Sequence, residues 1–327
     1  MSYSFFGTCY NDYDQLFGCL KTILNQTILP KEIIIVNAGE LDVEKEIFNL
    51  IDSKNIKLVY ILKNISRVKS LNIALAQSTA KYSFRFDTRS RFGANYAKNA
   101  LKILNSNLIS AQVVGGVPEI KSDSNKLEAL ICASIMSRPY VFCFPKHRNI
   151  NYVGYSSSIY LGCFNSKLLK KIRFNEQSSH LSEDSQIIND FLDMGFKSYI
   201  SSDIKLSYIC RSSFKNLLKL FNTYGFCRAN TILVTKKIFI SARHFFAFFL
   251  SIILVLLLII FNYSYLLFLP IVLLLFNLIS EIIFSRKVFK LYIPFYATLC
   301  QFSWILGFIW RLLTILKNNK LKSNFIS

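Results

Sequence analysis

Residues 245–280 contain no charged side chain. A single helix over that stretch would measure about 54 Å, well beyond the ~30 Å hydrocarbon core of a bilayer, so two crossings fit where one does not. Asn262, Tyr263 and Ser264 supply the only polar break. The expectation is a transmembrane hairpin with legs at 245–261 and 265–284. Acid is the next scarcity. Beyond residue 203 the sole carboxylate is Glu281, set against 15 Lys and Arg, so this part carries +14 of the formal +20. Residues 205–243 alone hold eight basic side chains and no acid. An anionic leaflet attracts such a stretch by ~1 kcal/mol per charge near its surface. Nucleic acid is the competing partner for a basic chain. The charge flanks apolar spans, however, and no nucleic-acid module is recognisable, so anionic membrane lipids are expected and nucleic acid is not.

Two further absences bear on compartment. The N-terminus, MSYSFFGTCYND, lacks the basic start and cleavage site of a signal peptide, which predicts a first domain that stays in the cytoplasm. The eight cysteines include no CxxC pair, which speaks against zinc and suits a reducing compartment.

The first 120 residues alternate short apolar runs with helical periodicity. YSFFGTC (3–9), EIIIVN (32–37), KLVYIL (57–62) and YSFRFD (82–87) read as strands. Leu16, Leu20, Ile23 and Leu24 recur at helical spacing after the cap-like Asn11 and Asp12, and Ser66 opens a second helix over 66–79. This order predicts an α/β fold: a mostly parallel sheet with helices on both faces, binding its ligand beyond the carboxyl ends of the strands. Asn37 and Asp87 lie at two such ends. Further on, EDSQIINDFLDMGFK (183–197) sets Ile187, Ile188, Phe191 and Leu192 on one stripe and ends it with Gly195. Glu183 and Asp184 fall in its first turn, where acids complement the helix dipole, so capping and chemistry both stay open. SFKNLLKLFNTYGFCRANT (213–231) gathers Leu217, Leu218, Phe221 and Tyr224 on one side, the pattern of an interfacial helix. The expected organisation is a catalytic domain over 1–210, a basic amphipathic segment over 211–243 and the hairpin over 244–284. Residues 285–327 add a third apolar segment, interfacial, re-entrant or spanning, and a basic tail.

Four segments, CYND (9–12), LKTILNQTILPKEIIIVNAGE (20–40), NISRVKSLNIALAQSTAKY (64–82) and EDSQIINDFLDMGFK, follow one another in an order and spacing that resembles family 2 glycosyltransferases of the GT-A fold. The resemblance covers residues 1 to about 230. RFDTRSRF (85–92), VGYSSSIYLGCF (153–164) and LFNTYGFCRANT (220–231) look most like the membrane-linked, succinoglycan-type enzymes of bacterial exopolysaccharide assembly. It implies a Rossmann-like GT-A sheet followed by C-terminal transmembrane helices, in a multi-pass protein of the bacterial inner membrane with a cytoplasmic catalytic domain. The implied reaction moves a sugar from a nucleotide-sugar donor, a UDP-sugar foremost, to a lipid-linked saccharide on polyprenyl diphosphate. A non-catalytic, membrane-tethered nucleotide-binding scaffold and a processive polysaccharide synthase are the alternatives.

An inverting transferase must deprotonate an acceptor hydroxyl while a nucleoside diphosphate departs from the opposite face of the sugar. By resemblance Asp184 is the base and Glu183 orients it or the acceptor. Tyr10, Asn11, Asn37, Glu40, Arg67, Lys69, Asp87 and Arg89 are the implied donor-side residues, and Gly162, Tyr224 and Arg228 the acceptor-side or interface residues. The departing charge needs a metal or fixed cations, and Asp87 is the implied ligand for Mg2+ or Mn2+. The sequence departs from the family pattern twice. Asn37 and Ala38 replace the usual paired acids, leaving Glu40 nearby, and Arg89 replaces the second metal-site acid. An arginine offers donors only and cannot ligate a cation. It binds the diphosphate directly, or leaves a metal to Asp87 with phosphate and water, or marks lost activity; the sequence leaves all three open.

Overall fold

A computed structural model describes residues 2–142, 144–178, 180–236, 268–284 and 290–323, together with Leu256 and Ile260. The first half alternates as expected: β1 (Tyr3–Cys9), α1 (Tyr13–Leu24), β2 (Glu32–Asn37), α2 (Glu44–Ile51), β3 (Lys57–Leu62), α3 (Arg67–Gln77) and β4 (Tyr82–Asp87). Then come β5 (Ser90–Phe92), α4 (Tyr96–Leu104), β6 (Val113–Gly115), β7 (Pro118–Lys121) and α5 (Leu127–Met136). They are followed by β8 (Gly154–Tyr155), β9 (Cys163–Asn165), α6 (Ser166–Ile172), α7 (Glu183–Asp193), β10 (Ser198–Ile200) and β11 (Leu206–Ile209). Three long helices close the described chain: α8 (Phe214–Thr235), α9 (Phe268–Phe284) and α10 (Tyr292–Ser323).

The chain divides into two compact units, one of Met1–Lys121, Lys146–Ser179 and Glu183–Ile209, the other of Ser122–Pro145, His180–Ser182 and Cys210–Ser327. The first unit is an α/β fold on an eight-stranded sheet of order β3-β2-β1-β4-β9-β6-β10-β8, with a small sheet β5-β11-β7 beside it. Strands β3, β2, β1 and β4 run parallel, and β9 enters antiparallel between β4 and β6. Period-two alternation divides β1 between two cores. Phe5 packs with Ile33, Ile35, Phe84 and Phe86 against α1, α2 and α4, whereas Phe6 packs with Ile34 and Val36 against α3, α6 and α7. Both faces are thus covered, which is why these strands read as continuous apolar runs. Each such fully buried aromatic or aliphatic side chain contributes about 1.5–3 kcal/mol by leaving water.

In the second unit, Arg138 Nε and Nη2 each donate to Glu281 at 2.9 Å and the Tyr140 hydroxyl donates to it at 2.7 Å, tying the turn after α5 to α9. The expectation of one catalytic domain over 1–210 is corrected accordingly: α5 and that turn group with the C-terminal helices. Of the expected interfacial segment over 211–243, residues 237–243 lie outside the described residues. Of the expected stripe of α8, Leu217 and Phe221 are buried, Leu218 is half-buried and Tyr224 is exposed, and Gly225 is pressed against the backbone of α10 at Trp304. Residues 244–255, 257–259 and 261–267 of the expected hairpin lie outside the described residues. The described part of the second leg, 268–284, is α9, a 17-residue helix. The third apolar segment forms one unbroken helix with no reversal inside it. Pro294 is its third residue, where the missing N–H is no loss. Within it Tyr292–Thr314, 23 residues of mean hydropathy 1.3, is the one stretch among the described residues long and apolar enough to cross a membrane.

Candidate active site

The carboxyl ends of β1, β2 and β4 deliver Tyr10 and Asn11, Asn37, and Asp87. Tyr10 is 67% exposed. Asn11 adopts a left-handed backbone, and its Oδ1 accepts from the Tyr13 hydroxyl at 3.1 Å and the Glu40 amide at 3.0 Å. Asn37 is fully buried. Its amide donates to the Leu41 carbonyl at 2.7 Å and the Tyr60 hydroxyl at 2.8 Å, and its Oδ1 accepts from the Gly39 amide at 2.9 Å. The side chain thus shapes the 38–43 loop at the end of β2. Glu40 is exposed on that loop, and Lys69 is exposed on α3.

Asp87 lies at the head of a cluster of five charges drawn from three elements. Arg67, in the first turn of α3, donates from Nη2 to Asp87 and from Nε to Glu183, both at 2.8 Å. Arg85, two residues before Asp87 on β4, is fully buried; its Nη1 donates to Asp184, and its Nη2 lies 3.2 Å from Glu183 and 3.5 Å from Asp87. The buried stripe of α7, Ile187, Ile188 and Phe191, fixes the helix so that its first turn meets the end of β4. Arg85 and Asp184 thus meet across 99 positions of sequence.

The electrostatics separate the three acids. Burial works to raise all of them, but at Asp87 the Arg67 and Arg85 guanidiniums outweigh it and hold the carboxyl below its usual range. The same two arginines hold Glu183 down. At Asp184 burial wins, assisted by the charges of Glu183 and Asp87 against the pull of Arg85, and the carboxyl is pushed up to about 6. A carboxylate of that pKa on a side chain 38% exposed is suited to taking a proton near neutral pH.

Arg89 has a definite partner. Its Nε donates to Asp12 Oδ2 at 2.9 Å and its Nη2 to Asp12 Oδ1 at 3.1 Å, while the Thr88 hydroxyl donates to Asp12 Oδ2 at 3.1 Å. Asp12 precedes α1 without capping it through its side chain. The residue read as a cap is therefore a counter-ion of Arg89. Among the described residues no three His, Cys, Asp or Glu side chains are grouped to hold a metal. The donor set does not fit a two-acid metal site. It fits a cation that takes Asp87 alone and keeps its waters, as Mg2+ often does beside phosphates.

Gly162 precedes β9 with φ +89, and a Cβ there would meet the Phe164 ring at 2.5 Å. Its carbonyl accepts the Arg85 amide at 3.1 Å, so this glycine supports the strand that carries the cluster. Tyr224, 37% exposed, and Arg228, buried, lie on α8 in the second unit.

Residues 4–128 match the model of the family described as glycosyl transferase family 2. That match spans 125 of the chain's 327 residues. No curated protein sequence matches it, so the finer likeness to exopolysaccharide enzymes rests on residues alone. Among solved structures, the mannosyltransferase PcManGT from Pyrobaculum calidifontis, in complex with GDP-Man and Mn2+, is similar at TM-score 0.59 and 13% identity over 95% of this chain and 86% of that one. S. aureus TarS gives TM-score 0.48 at 16% identity over 77% of this chain, which spans 43% of the length of TarS. TarS 1–349 in complex with UDP gives 0.48 at 13% identity, over 94% and 90%. At such identities the PcManGT likeness is one of fold, and it agrees with the GT-A arrangement that the sequence resemblance implies.

Two functional candidates escaped the sequence. Arg85 had a signal: a charge in the middle of a strand whose other residues are buried. Asp12 had none, because an acid just before a helix already has a sufficient explanation.

Proposed function

We propose that the protein is a membrane-bound, inverting glycosyltransferase that moves a sugar from a nucleotide-sugar donor, a UDP-sugar foremost, to a saccharide carried on polyprenyl diphosphate. The setting is bacterial surface polysaccharide assembly at the cytoplasmic face of the inner membrane. The observation that carries the chemistry is the meeting of Asp87 with Glu183 and Asp184 around Arg67 and Arg85. In this reading Asp184 takes the proton of the acceptor hydroxyl and Glu183 orients it. Tyr10 and Asn11 face the nucleoside, and Arg67 and Lys69 meet the diphosphate. A divalent cation, when bound to Asp87, would supply positive charge to the departing diphosphate.

The membrane part of the proposal is supported by α9 in the second unit, which buries polar side chains and exposes apolar ones. Asn277, Glu281 and Thr298 are buried, and Asn277 donates to Thr298 at 3.0 Å and to Gln301 at 2.9 Å. The outward face of α9 instead shows Ile271, Val272, Leu275, Ile279, Ile282 and Ile283, each more than half exposed. A contiguous apolar face of that kind marks an interaction surface, and hydrocarbon is the solvent in which it needs no further cover.

Detergent-purified protein is expected to release nucleoside diphosphate from at least one of UDP-glucose, UDP-galactose, UDP-N-acetylglucosamine and GDP-mannose, and to melt higher with that donor present. The protein should also stay with membranes through a high-salt wash. No release from any donor would refute the transferase reading; loss into the high-salt supernatant would refute the embedded anchor.

A further inference from the structure

Arg85 sits where the fold gives a guanidinium least reason to be. It is fully buried on β4, opposite Phe6 of β1, with its guanidinium 5.6 Å from the centre of the Phe174 ring and its Nε without a hydrogen-bond partner. Burial of such a charge is unfavourable unless the geometry of its pairing is good, and an aliphatic residue would fill this strand position at less cost. The pairing found here divides the fork. Nη1 goes to Asp184, at the start of α7, and Nη2 to Glu183 and Asp87.

We propose that Arg85 is a positioning residue for the transfer, a rigid spacer that sets the proposed base Asp184 at a fixed distance from the donor-side carboxylate Asp87. The inference rests on the reading of Asp184 as the base. Arg67 approaches the same cluster from α3, but its two bonds go to Asp87 and Glu183. The fork of Arg85 is what ties Asp184 in. A lysine would keep the charge and lose the fork, because one ammonium cannot hold two carboxylates at set positions as a planar guanidinium does. Charge and geometry are therefore separable by experiment.

The test compares wild type, Arg85→Lys, Asp184→Asn and the double variant. It reads kcat for nucleoside diphosphate release from the donor active with wild type, Kd for UDP, and the melting temperature. Arg85→Lys is expected to bind UDP within about threefold of wild type while kcat falls about 10²-fold, the loss that follows when a reacting group moves by about 1 Å. The double variant should fall no further than Asp184→Asn alone, since both changes act through one carboxylate. If Arg85→Lys melts well below wild type, Arg85→Gln is scored in the same way per folded molecule. The inference is overturned if kcat per folded molecule stays within about threefold of wild type, if UDP affinity falls as much as kcat, or if the losses multiply in the double variant. A wild type active with a donor but indifferent to Asp184→Asn refutes the base assignment and this inference with it. A wild type active and dependent on Asp184, but indifferent to Arg85→Lys, refutes the inference alone.

Discussion

If Asp184 is the base, as proposed, its raised carboxyl puts the acid limb of the reaction in an accessible range. Burial lifts it from 3.8 to about 6, with Glu183 and Asp87 reinforcing the shift and Arg85 opposing it. A base with that pKa is about 90% ionised at pH 7 and about 10% at pH 5, so kcat for nucleotide release should fall roughly tenfold for each pH unit below 6. An unshifted aspartate would leave the same interval almost flat and put the limb near pH 4. The fold should survive the measurement on this account, because the proton bound by Asp184 favours the folded chain below about 6, a contribution lost as pH rises through 6. Asp87 and Glu183 act in the opposite direction. Their lowered carboxyls contribute stability above their unfolded pKa values that is lost as pH falls through the folded ones, which limits the useful range at the acid end. The assay is kcat from pH 4.5 to 8 at saturating donor, with the melting temperature recorded at each pH. Asp184→Asn should lose ~10²–10⁴-fold at pH 7.5 and abolish the limb. A wild-type profile flat to pH 4.5, or an Asp184→Asn enzyme within a factor of a few of wild type, would refute the reasoning.

Other substitutions follow from the same contacts. Arg89→Asp removes the counter-ion of Asp12 and introduces a carboxylate beside Asp12 and Asp87; activity should become strongly dependent on Mg2+ or Mn2+, measured as loss in EDTA, whereas the wild type should lose less. Equal sensitivity of the two would count against the pairing as the reason for the arginine. Asn37→Asp restores an acid that the family pattern carries, yet it should destabilise the first unit by about 1–3 kcal/mol, because a carboxylate cannot donate to the Leu41 carbonyl. Thermal melting decides it, and an unchanged midpoint would show that the loop does not depend on that bond. Gly225→Val should disrupt the packing of α8 on α10, since even a Cβ at Gly225 would stand 1.9 Å from the Trp304 carbonyl; the readout is faster proteolysis of the C-terminal helices in detergent.

The strands and helices of the first unit were legible because burial on both faces writes itself as apolar runs of period two and of helical period. Phe5 and Phe6 need nothing beyond their neighbours to be placed. The acid pair at the head of α7 was legible as a position, while its partners were not. Arg67, Arg85 and Asp184 are brought together by the tertiary path alone, and no local pattern records a contact across 99 residues. The second unit was legible as apolar and basic but not as packed. The close approach of Gly225 to Trp304 and the tie from Arg138 to Glu281 both depend on which helices are neighbours.

The exchange of an acid for Arg89 is best understood as a relocation of charge. A two-acid site would place two carboxylates after β4 and need a divalent ion to hold them together. Here the second position carries the positive charge itself, and the compensating carboxylate comes from Asp12, just after β1, the strand paired with β4 through Thr8 and Asp87. The tie between the two strand ends that a bridging cation would make is made by a bidentate ion pair, both of whose partners are attached to the chain and so are not lost to solvent as a free cation can be. Asp87 is thereby released from sharing a metal and is held by Arg67 and Arg85, the same pair that holds Glu183. With the strand ends fixed by Arg89 and the acids fixed by Arg85, the geometry of the cluster no longer requires a metal to form, even where the departing diphosphate still draws on one. Chelation should for that reason leave the melting temperature of the wild type unchanged while lowering its activity only in part; a fall in melting temperature on adding EDTA would show that the cluster depends on a cation after all.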